Sequence, residues 1–255
     1  MISSFIRSGI RKLGFEVSRY RPGASGSAAN ADFSEADRAL VKRVKPFTMT
    51  TPERIVGLRA AAKYVCANRL PGDFVECGVW RGGSSMAAAL TFMEMGDTSR
   101  DLWLFDTFEG MPPPQAVDVR YDGVSAQALL DSHARTTDDH YWAVAPLEDV
   151  NANLTAIGYP REKWHCIKGR VEETIPAQAP ASIALLRLDT DWYESTKHEL
   201  EHLYRRVTPG GVIIIDDYGW YDGARKAVDE FLGTLAFKPL LNRLDQTGRL
   251  LIKPA

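Results

Sequence analysis

The chain alternates between short apolar runs and longer stretches in which apolar residues recur at helical spacing. Uninterrupted apolar runs bounded by Gly, Asp or Lys are typical of buried parallel strands, and the stretches between them are typical of amphipathic helices. The first five predicted strands are Phe74–Trp80, Leu102–Phe105, Trp164–Gly169, Leu185–Leu188 and Gly210–Ile215. This alternation predicts an α/β fold with a mostly parallel sheet and helices on both faces.

Capping residues mark where the helices begin. Ser34 predicts the cap of a helix that runs through Val44, and Thr51, followed by Pro52, predicts the cap of a second helix to about Asn68. Later helices are expected at Met86–Met95, Leu147–Ile157, Glu194–Val207 and Gly223–Gly233. The helices therefore separate the strands, as a parallel sheet requires.

Two further strand-like runs follow the last helix and bring the expected sheet to seven strands. Phe237–Leu241 and Leu250–Lys253 flank turn residues at 245–248, which predicts an antiparallel hairpin at the end of the chain. The long connection 107–163 is predicted to contain a lid or a substrate-shaping insert at about 111–146.

Residues 1–20 have apolar positions at roughly helical spacing with basic residues between them, which predicts a short amphipathic helix. A segment rich in Gly, Ala, Ser and Pro follows at 21–30 and is interpreted as a flexible linker. We therefore expect residues 1–45 to form an N-terminal helical region and residues 46–255 to form the main domain. The apolar face of the first helix needs a partner, which could be the body of the domain, a second subunit or a membrane surface. Such a face favours self-association into a homo-oligomer.

The composition limits the class of protein. At 255 residues, with 45% hydrophobic and 25% charged residues, the chain suits a globular protein with one substantial core. The net charge of -2 gives no support for a nucleic-acid partner. No apolar run is long enough to cross a bilayer, so we expect no transmembrane segment. Cys66, Cys77 and Cys166 form no CxxC pair and are interpreted as reduced residues of a cytoplasmic protein.

Two strands of the predicted sheet end in pairs of carboxylates. Asp189 and Asp191 follow the fourth strand, and Asp216 and Asp217 follow the fifth. Open α/β sheets bind ligands at the carboxyl ends of their strands. Four acidic groups at one edge would repel one another unless a cation lay among them, and a hard divalent cation with oxygen ligands fits that position. Arg187, between apolar residues of the fourth strand, is expected to pair with an acidic neighbour.

The first predicted strand ends in a glycine-bearing turn that leads into a helix. Gly78 is followed by Gly82 and Gly83, which lets backbone N–H groups approach a phosphate or nucleoside ligand. The dinucleotide fingerprint G-x-G-x-x-G is absent, whereas Glu76 is suited to a cationic amino-acid ligand. Asp106, at the end of the second strand, can accept both hydroxyls of a ribose or can cap the next turn.

Five segments of the chain resemble one family of enzymes. They are Phe74–Ser84, Phe105–Pro112, Lys168–Pro176, Leu186–Thr196 and Asp216–Tyr218. In this order the chain is similar to the macrocin O-methyltransferase (TylF-like) family, which has the class I methyltransferase fold. The resemblance implies a Rossmann-like sheet of seven strands, S-adenosyl-L-methionine and Mg²⁺ as cofactors, and a hydroxyl of a sugar or of a glycosylated natural product as the methyl acceptor.

The resemblance also implies residues that bind the cofactor. It places Glu76, Gly78 and Ser84 around the methionine part of S-adenosylmethionine. It places Asp106 at the ribose.

For the metal, the resemblance implies Asp189, Asp216 and Asp217 as ligands. Asp191 is implied either as a further ligand or as the group that takes the hydroxyl proton, and Asp189 is the other candidate for that base. Trp192 stands where a methionine, or a histidine in some members, occurs in the family, so a carboxylate rather than a histidine is expected as the base.

Two other functions stay open on the residues alone. A nicotinamide-dependent oxidoreductase could use a similar sheet, although the missing glycine fingerprint disfavours it. A non-catalytic member of the family could act as an assembly subunit. Neither alternative requires a methyl acceptor.

Overall fold

The computed structural model of the protein describes residues 30–137 and 139–254. The chain divides into two units, residues 1–33 and 34–255, and the fold below is that of the second unit. The amphipathic helix predicted at 1–20 lies outside the described residues, so the helix and the self-association inferred from it stay predictions. The expected domain boundary at residue 45 also stays a prediction, although the helix that ends at Val44 belongs to the second unit.

The second unit has helices packed on both faces of one sheet. The helices are α1 (Glu35–Val44), α2 (Pro52–Ala67), α3 (Gly83–Glu94), α4 (Ala126–Asp131), α5 (Leu147–Thr155), α6 (Val171–Thr174), α7 (Tyr193–Leu203) and α8 (Asp222–Thr234). The strands are β1 (Asp73–Cys77), β2 (Leu102–Asp106), β3 (Trp164–Lys168), β4 (Ile183–Leu188), β5 (Val207–Ile215), β6 (Asn242–Arg243) and β7 (Arg249–Ile252).

The sheet has seven strands in the order β3-β2-β1-β4-β5-β7-β6. Strands β1 to β5 run parallel, and β7 pairs antiparallel with both β5 and β6. The order reverses between β1 and β4, which is where open sheets of this kind bind their ligands. The arrangement confirms the predicted fold class, a Rossmann-like, mostly parallel sheet with a C-terminal antiparallel hairpin.

Alternate residues of the central strands pack into cores on opposite faces of the sheet. Phe74 of β1 and its neighbour Leu185 of β4 belong to the core formed with α1, α2, α3 and α5. Val75 and its neighbour Leu186 belong to the core on the other face, formed with α7 and α8. Because both faces are covered, the strands need consecutive apolar residues, and this pattern made them predictable.

One predicted strand is wrong. The run Phe237–Leu241 is not part of the sheet, and β6 forms at Asn242–Arg243 instead. Pro239 has no backbone N–H to donate within the sheet, and Phe237 and Leu240 are exposed. The apolar character of the run was therefore a misleading signal.

The insert at 111–146 packs against the segments that follow β4 and β5. Ala126 and Leu130 of α4 form a small core with Trp192, Tyr221 and Ala224. The insert is thus a packed part of the domain next to the strand ends. Its role as a lid stays a prediction.

Two expectations about the whole chain can be compared with the structure. Cys66, Cys77 and Cys166 are all free, as predicted. Over residues 30–137 and 139–254, no helix is both long and apolar enough to cross a membrane. The cytoplasmic location stays a prediction.

Thr51 offers a test of how α2 is held in the domain. Its hydroxyl accepts a hydrogen bond from the Arg54 N–H at 3.3 Å and donates one to Asp245 Oδ2 at 2.7 Å, in the turn between β6 and β7. We expect Thr51→Ala to lower the free energy of unfolding by ~1–2 kcal/mol, and Thr51→Ser by much less because serine keeps the hydroxyl. Urea denaturation measures both values. An equal loss in the two variants would contradict this expectation.

Candidate active site

A cleft lies at the carboxyl ends of the parallel strands and contains about 700 Å³ of empty space, including its mouth. It is lined by Gly78 after β1, Asp106 at the end of β2, and Asp189 and Asp191 after β4. Met111 of the insert also lines it. The predicted nucleoside cradle and the predicted acidic site therefore share one cavity, which has a size usual for small-molecule sites.

Gly78 brings the end of β1 into direct contact with the end of β4. Its φ of +83° lies in the left-handed region, and a Cβ atom at this position would be 1.9 Å from the carbonyl oxygen of Asp189. The Asp189 N–H donates to the Cys77 carbonyl oxygen at 2.8 Å. Only glycine fits here, and the close approach determines where the acidic loop after β4 begins.

The carboxylate of Asp106 holds the turn that follows β1. Its Oδ2 accepts hydrogen bonds from the backbone N–H groups of Val79 at 2.6 Å and Trp80 at 2.9 Å, and its Oδ1 accepts one from Phe108 at 2.7 Å. Burial raises the pKa of Asp106, against the effect of these three donors. The turn-capping alternative is thus seen directly, while contact with a ribose stays a prediction.

Glu76 and Ser84 are buried and do not line the cleft. The Glu76 carboxylate accepts a hydrogen bond from Arg187 Nη1 at 2.7 Å and another from the Ser85 hydroxyl. Burial raises the pKa of Glu76 to about 7 in spite of the Arg187 charge. Of the four residues predicted at the cofactor, Gly78 and Asp106 lie at the cleft and Glu76 lies in an ionic network next to it.

Arg187 lies at the centre of this network, with 2% of its surface exposed. Its Nη1 donates to Glu76 and to Asp189, each at 2.7 Å, while its Nη2 donates to Asp216 at 2.7 Å and to Thr50 Oγ1 at 2.8 Å. The expected pairing of Arg187 with an acidic neighbour is confirmed, and it extends to three carboxylates. One guanidinium thus connects β1, the ends of β4 and β5, and the segment before α2.

Asp216 has a second cationic partner, Arg54 in the first turn of α2. The Arg54 guanidinium pairs with the Asp216 carboxylate through Nη1 and with Asp245 through Nε at 3.0 Å. Sequence reasoning missed Arg54 because Asp216 is 162 residues further along the chain. Nothing in the local helical pattern distinguishes Arg54 from an arginine that faces solvent.

Three carboxylates converge beside this network. Asp189, Asp191 and Asp217 each bring an oxygen within 4.8 Å of the oxygens of the other two. Asp216, which the sequence analysis placed among the metal ligands, lies outside this group and is bonded to its two arginines. Burial first, and neighbouring carboxylates next, raise the pKa of Asp189 to about 6 and of Asp191 to about 7, and raise that of Asp217 strongly.

The residues of this group fit a divalent cation. The buried Oδ2 of Asp217 has no hydrogen-bond partner within the part of the chain that the structure describes. A buried carboxylate oxygen without a partner is costly unless the group is protonated or a cation binds it. The donors are all carboxylate oxygens, which are the ligands that hard divalent cations such as Mg²⁺ prefer.

The fold defines the class of protein, because this seven-stranded sheet is Rossmann-like and the chain matches a solved methyltransferase in structure. The family profile described as macrocin-O-methyltransferase (TylF) matches residues 10–253. The chain therefore belongs to the macrocin-O-methyltransferase family, as the sequence segments indicated. It is an S-adenosylmethionine-dependent O-methyltransferase.

Individual relatives agree with this assignment. The chain is 36% identical over 217 residues to 8-demethyl-8-(2,3-dimethoxy-alpha-L-rhamnosyl)-tetracenomycin-C 4'-O-methyltransferase of Streptomyces olivaceus, covering 84% of this chain and 79% of that protein. It is 32% identical to demethyldecarbamoylnovobiocin O-methyltransferase of Streptomyces niveus, covering 79% of this chain and 73% of that protein. The solved structure of the O-methyltransferase NovP matches with a TM-score of 0.70 and 31% identity, covering 82% of this chain and 83% of that chain.

Asp191 offers a test of the acidic group in the metal-free protein. Its pKa of about 7 in the folded state lies above the ordinary value of 3.8, so the folded state binds this proton more tightly than the unfolded state does. As the pH rises from about 4 to 7, the unfolded state releases the proton first, and this contribution to stability is lost. We expect Asp191→Asn to gain stability relative to the wild type by ~1–2 kcal/mol over that interval, allowing for partial exposure.

Urea denaturation in the presence of a chelator, at about pH 4.5 and about pH 7.5, measures this difference. Asp131→Asn, which changes an exposed carboxylate at the end of α4, is the matched control. If the stability difference between Asp191→Asn and the wild type does not change with pH, the carboxylates do not interact as described.

Proposed function

We propose that this protein transfers the methyl group of S-adenosylmethionine to a hydroxyl of a sugar in a glycosylated natural product, and that the transfer depends on Mg²⁺. One observation carries the metal dependence: Asp189, Asp191 and Asp217 form one oxygen cluster, and two of its members line the same cleft as Gly78 and Asp106. The glycosylated acceptor is supported by the relative from Streptomyces olivaceus, whose name describes a rhamnosyl tetracenomycin.

Asp189 and Asp217 would hold the ion, and Asp191, the third member of the cluster, would face it as the base. Asp216, which the resemblance implies as a further ligand, is already bonded to Arg54 and Arg187. Bound Mg²⁺ would act as a Lewis acid that lowers the pKa of the acceptor hydroxyl. Asp216 and its two arginines would keep the end of β5 in place, so that the adjacent Asp217 is presented to the cluster.

Asp191 is the proposed acceptor of the hydroxyl proton. Burial raises the pKa of Asp191, as it does that of Asp189, and a base works best when its pKa lies near the working pH. Asp189 receives a hydrogen bond from Arg187 at 2.7 Å, which favours its ionised form and lowers its affinity for a proton. Asp189 is thus better suited to binding the ion than to taking the proton.

Gly78 and Asp106 would bind the methyl donor at the β1 and β2 side of the cleft. S-adenosylmethionine supplies an activated methyl group on a sulfonium, so the protein needs mainly to orient the hydroxyl oxygen and to exclude water. Glu76 would act indirectly, because Arg187 connects it to Asp189. Ser84, buried in the first turn of α3, would support the cradle by packing.

The residues that exclude water come from two segments outside the sheet. Met49, just before α2, and Met111, Pro112 and Ala143 of the insert line the cleft. Their apolar surfaces would displace water from the bound reactants. We therefore propose that the insert and the segment before α2 form the cover of the site.

Transfer of labelled methyl groups from S-adenosylmethionine to a panel of glycosides and their aglycones tests the proposal. We expect glycosides with a free sugar hydroxyl to be methylated and their aglycones not to be methylated. A chelator should abolish the transfer, and Mg²⁺ should restore it. Intact S-adenosylmethionine binding without turnover on any hydroxylated acceptor would favour the non-catalytic assembly subunit instead.

Asp217→Asn tests the metal ligands separately from the cofactor site. The substitution removes one negative charge from the cluster, so we expect kcat to fall on the order of 100-fold while S-adenosylmethionine affinity changes by no more than about twofold. Steady-state kinetics and calorimetry measure the two quantities. Asp131→Asn, which changes an exposed carboxylate at the end of α4, is the control. Wild-type kcat and an unchanged Mg²⁺ response in Asp217→Asn would rule out its role as a ligand.

A further inference from the structure

The insert carries a fully buried carboxylate, Asp118, that the reaction described above does not use. Its Oδ2 accepts a hydrogen bond from the Gln115 N–H at 2.7 Å, and its Oδ1 accepts one from the Tyr193 N–H at 2.8 Å. The first bond stays within the insert. The second reaches the first residue of α7, so this carboxylate connects the insert to the helix that follows the acidic loop.

The N-terminus of α7 depends on this contact for its cap. The helix begins two residues after Asp191, and the side chain of its own cap residue, Trp192, makes no capping hydrogen bond. Free N–H groups at a helix N-terminus carry partial positive charge, which a carboxylate stabilises. Asp118 thus caps α7 from a distant part of the chain. Asp191 itself has a φ of +66°, a conformation that its surroundings must hold in place.

Asp118 is also packed against the start of α8. A Cβ atom on Gly223 would lie 2.0 Å from Asp118 Oδ1, so this position has no space for a side chain. The insert has another bond to the acidic loop, because Trp192 Nε1 donates to the Pro112 carbonyl oxygen at 3.0 Å. The segments after β4 and after β5, which carry the acidic cluster, therefore both lead into helices that start against one buried carboxylate.

We propose that Asp118 is a positioning residue for the acidic cluster of the active site. By capping α7 it holds the loop that carries Asp191, and by packing against Gly223 it holds the segment that follows Asp217. The inference rests on the proposed function and adds a second role for the insert. Besides covering the cleft, the insert orders the carboxylates that would bind the ion.

The capping bond can be removed without changing Asp118. Tyr193 is the first residue of α7, where proline is tolerated, and Trp192 before it has φ −93° and ψ 156°, which suit a residue that precedes proline. Tyr193→Pro replaces the donor N–H by the ring Cδ, which would overlap Asp118 Oδ1, so this variant both breaks the bond and displaces the carboxylate, whereas Tyr193→Ala removes only the side chain. We expect kcat of Tyr193→Pro to be about tenfold or more below that of Tyr193→Ala, with KM for S-adenosylmethionine within about twofold.

Substitutions of Asp118 give the complementary test. Asp118→Ala should lower kcat to a similar extent and weaken Mg²⁺ binding, measured by calorimetry on the protein with Mg²⁺ alone, by about tenfold. Asp118→Asn keeps an acceptor oxygen for the Tyr193 N–H but sets its amide nitrogen against the Gln115 N–H, so it should recover only part of both values. The kcat of the double variant, Asp118→Ala with Tyr193→Pro, should be no lower than that of the more impaired single variant, because both changes remove the same bond. Asp131→Ala, an exposed carboxylate of the same insert, is the control.

The outcomes separate this inference from the proposed function. Equal kcat and equal Mg²⁺ affinity in Tyr193→Pro and Tyr193→Ala would overturn the positioning role, whether or not Asp118→Ala folds. A wild-type enzyme that transfers methyl groups without binding Mg²⁺ would overturn the metal part of the proposed function. In that case the kcat ratio of the two Tyr193 variants would still decide the role of Asp118.

Discussion

The site depends on the guanidinium of Arg187, which is bonded to carboxylates from three neighbouring strands. Glu76, Asp189 and Asp216 are brought together by the parallel sheet, and without a shared cation their charges would oppose its formation. Removing one partner of such a buried network leaves an uncompensated charge and typically costs ~3–5 kcal/mol. Arg187 therefore serves the fold and the chemistry at once, because the same bonds hold the central strands together and hold Asp189 at the cleft.

The arginines compensate only part of the negative charge at this edge of the sheet. Arg187 and Arg54 are bonded to Asp216, and Arg187 is also bonded to Asp189, whereas Asp191 and Asp217, which share the cluster with Asp189, form no ion pair with either arginine in the described part of the chain. Burial first, and neighbouring carboxylates next, raise the pKa of both of these acids. The protein thus has two kinds of acidic group at this edge: those bonded to arginines, which shape the site, and those without an arginine partner among the described residues, which we propose to face Mg²⁺.

The fold was predictable because its strands are buried on both faces and therefore appear as consecutive apolar residues. The acids after β4 and β5 were also predictable, since they interrupt those runs abruptly.

Which of Asp216 and Asp217 faces the other acids was not evident, because successive residues at a strand end point in opposite directions and the partner Arg54 comes from a distant helix. Hydrophobic residues do not recur at a regular spacing along the insert, so the sequence did not predict that Asp118 caps α7. For the run around Pro239 the error was a false strand: its apolar residues predicted a strand, but they lie outside the sheet.

The bonds of Asp106 limit how this residue can recognise a nucleoside. A carboxylate oxygen has two lone pairs, and Oδ2 already uses both for the N–H groups of Val79 and Trp80. Oδ1 accepts the Phe108 N–H and a long contact of 3.4 Å from the Thr107 hydroxyl, which can rotate away. One lone pair is therefore within reach of a ligand while the turn stays closed. If Asp106 binds the ribose as we propose, a second hydroxyl would have to compete with the backbone N–H groups, and contact with both hydroxyls would loosen the turn after β1.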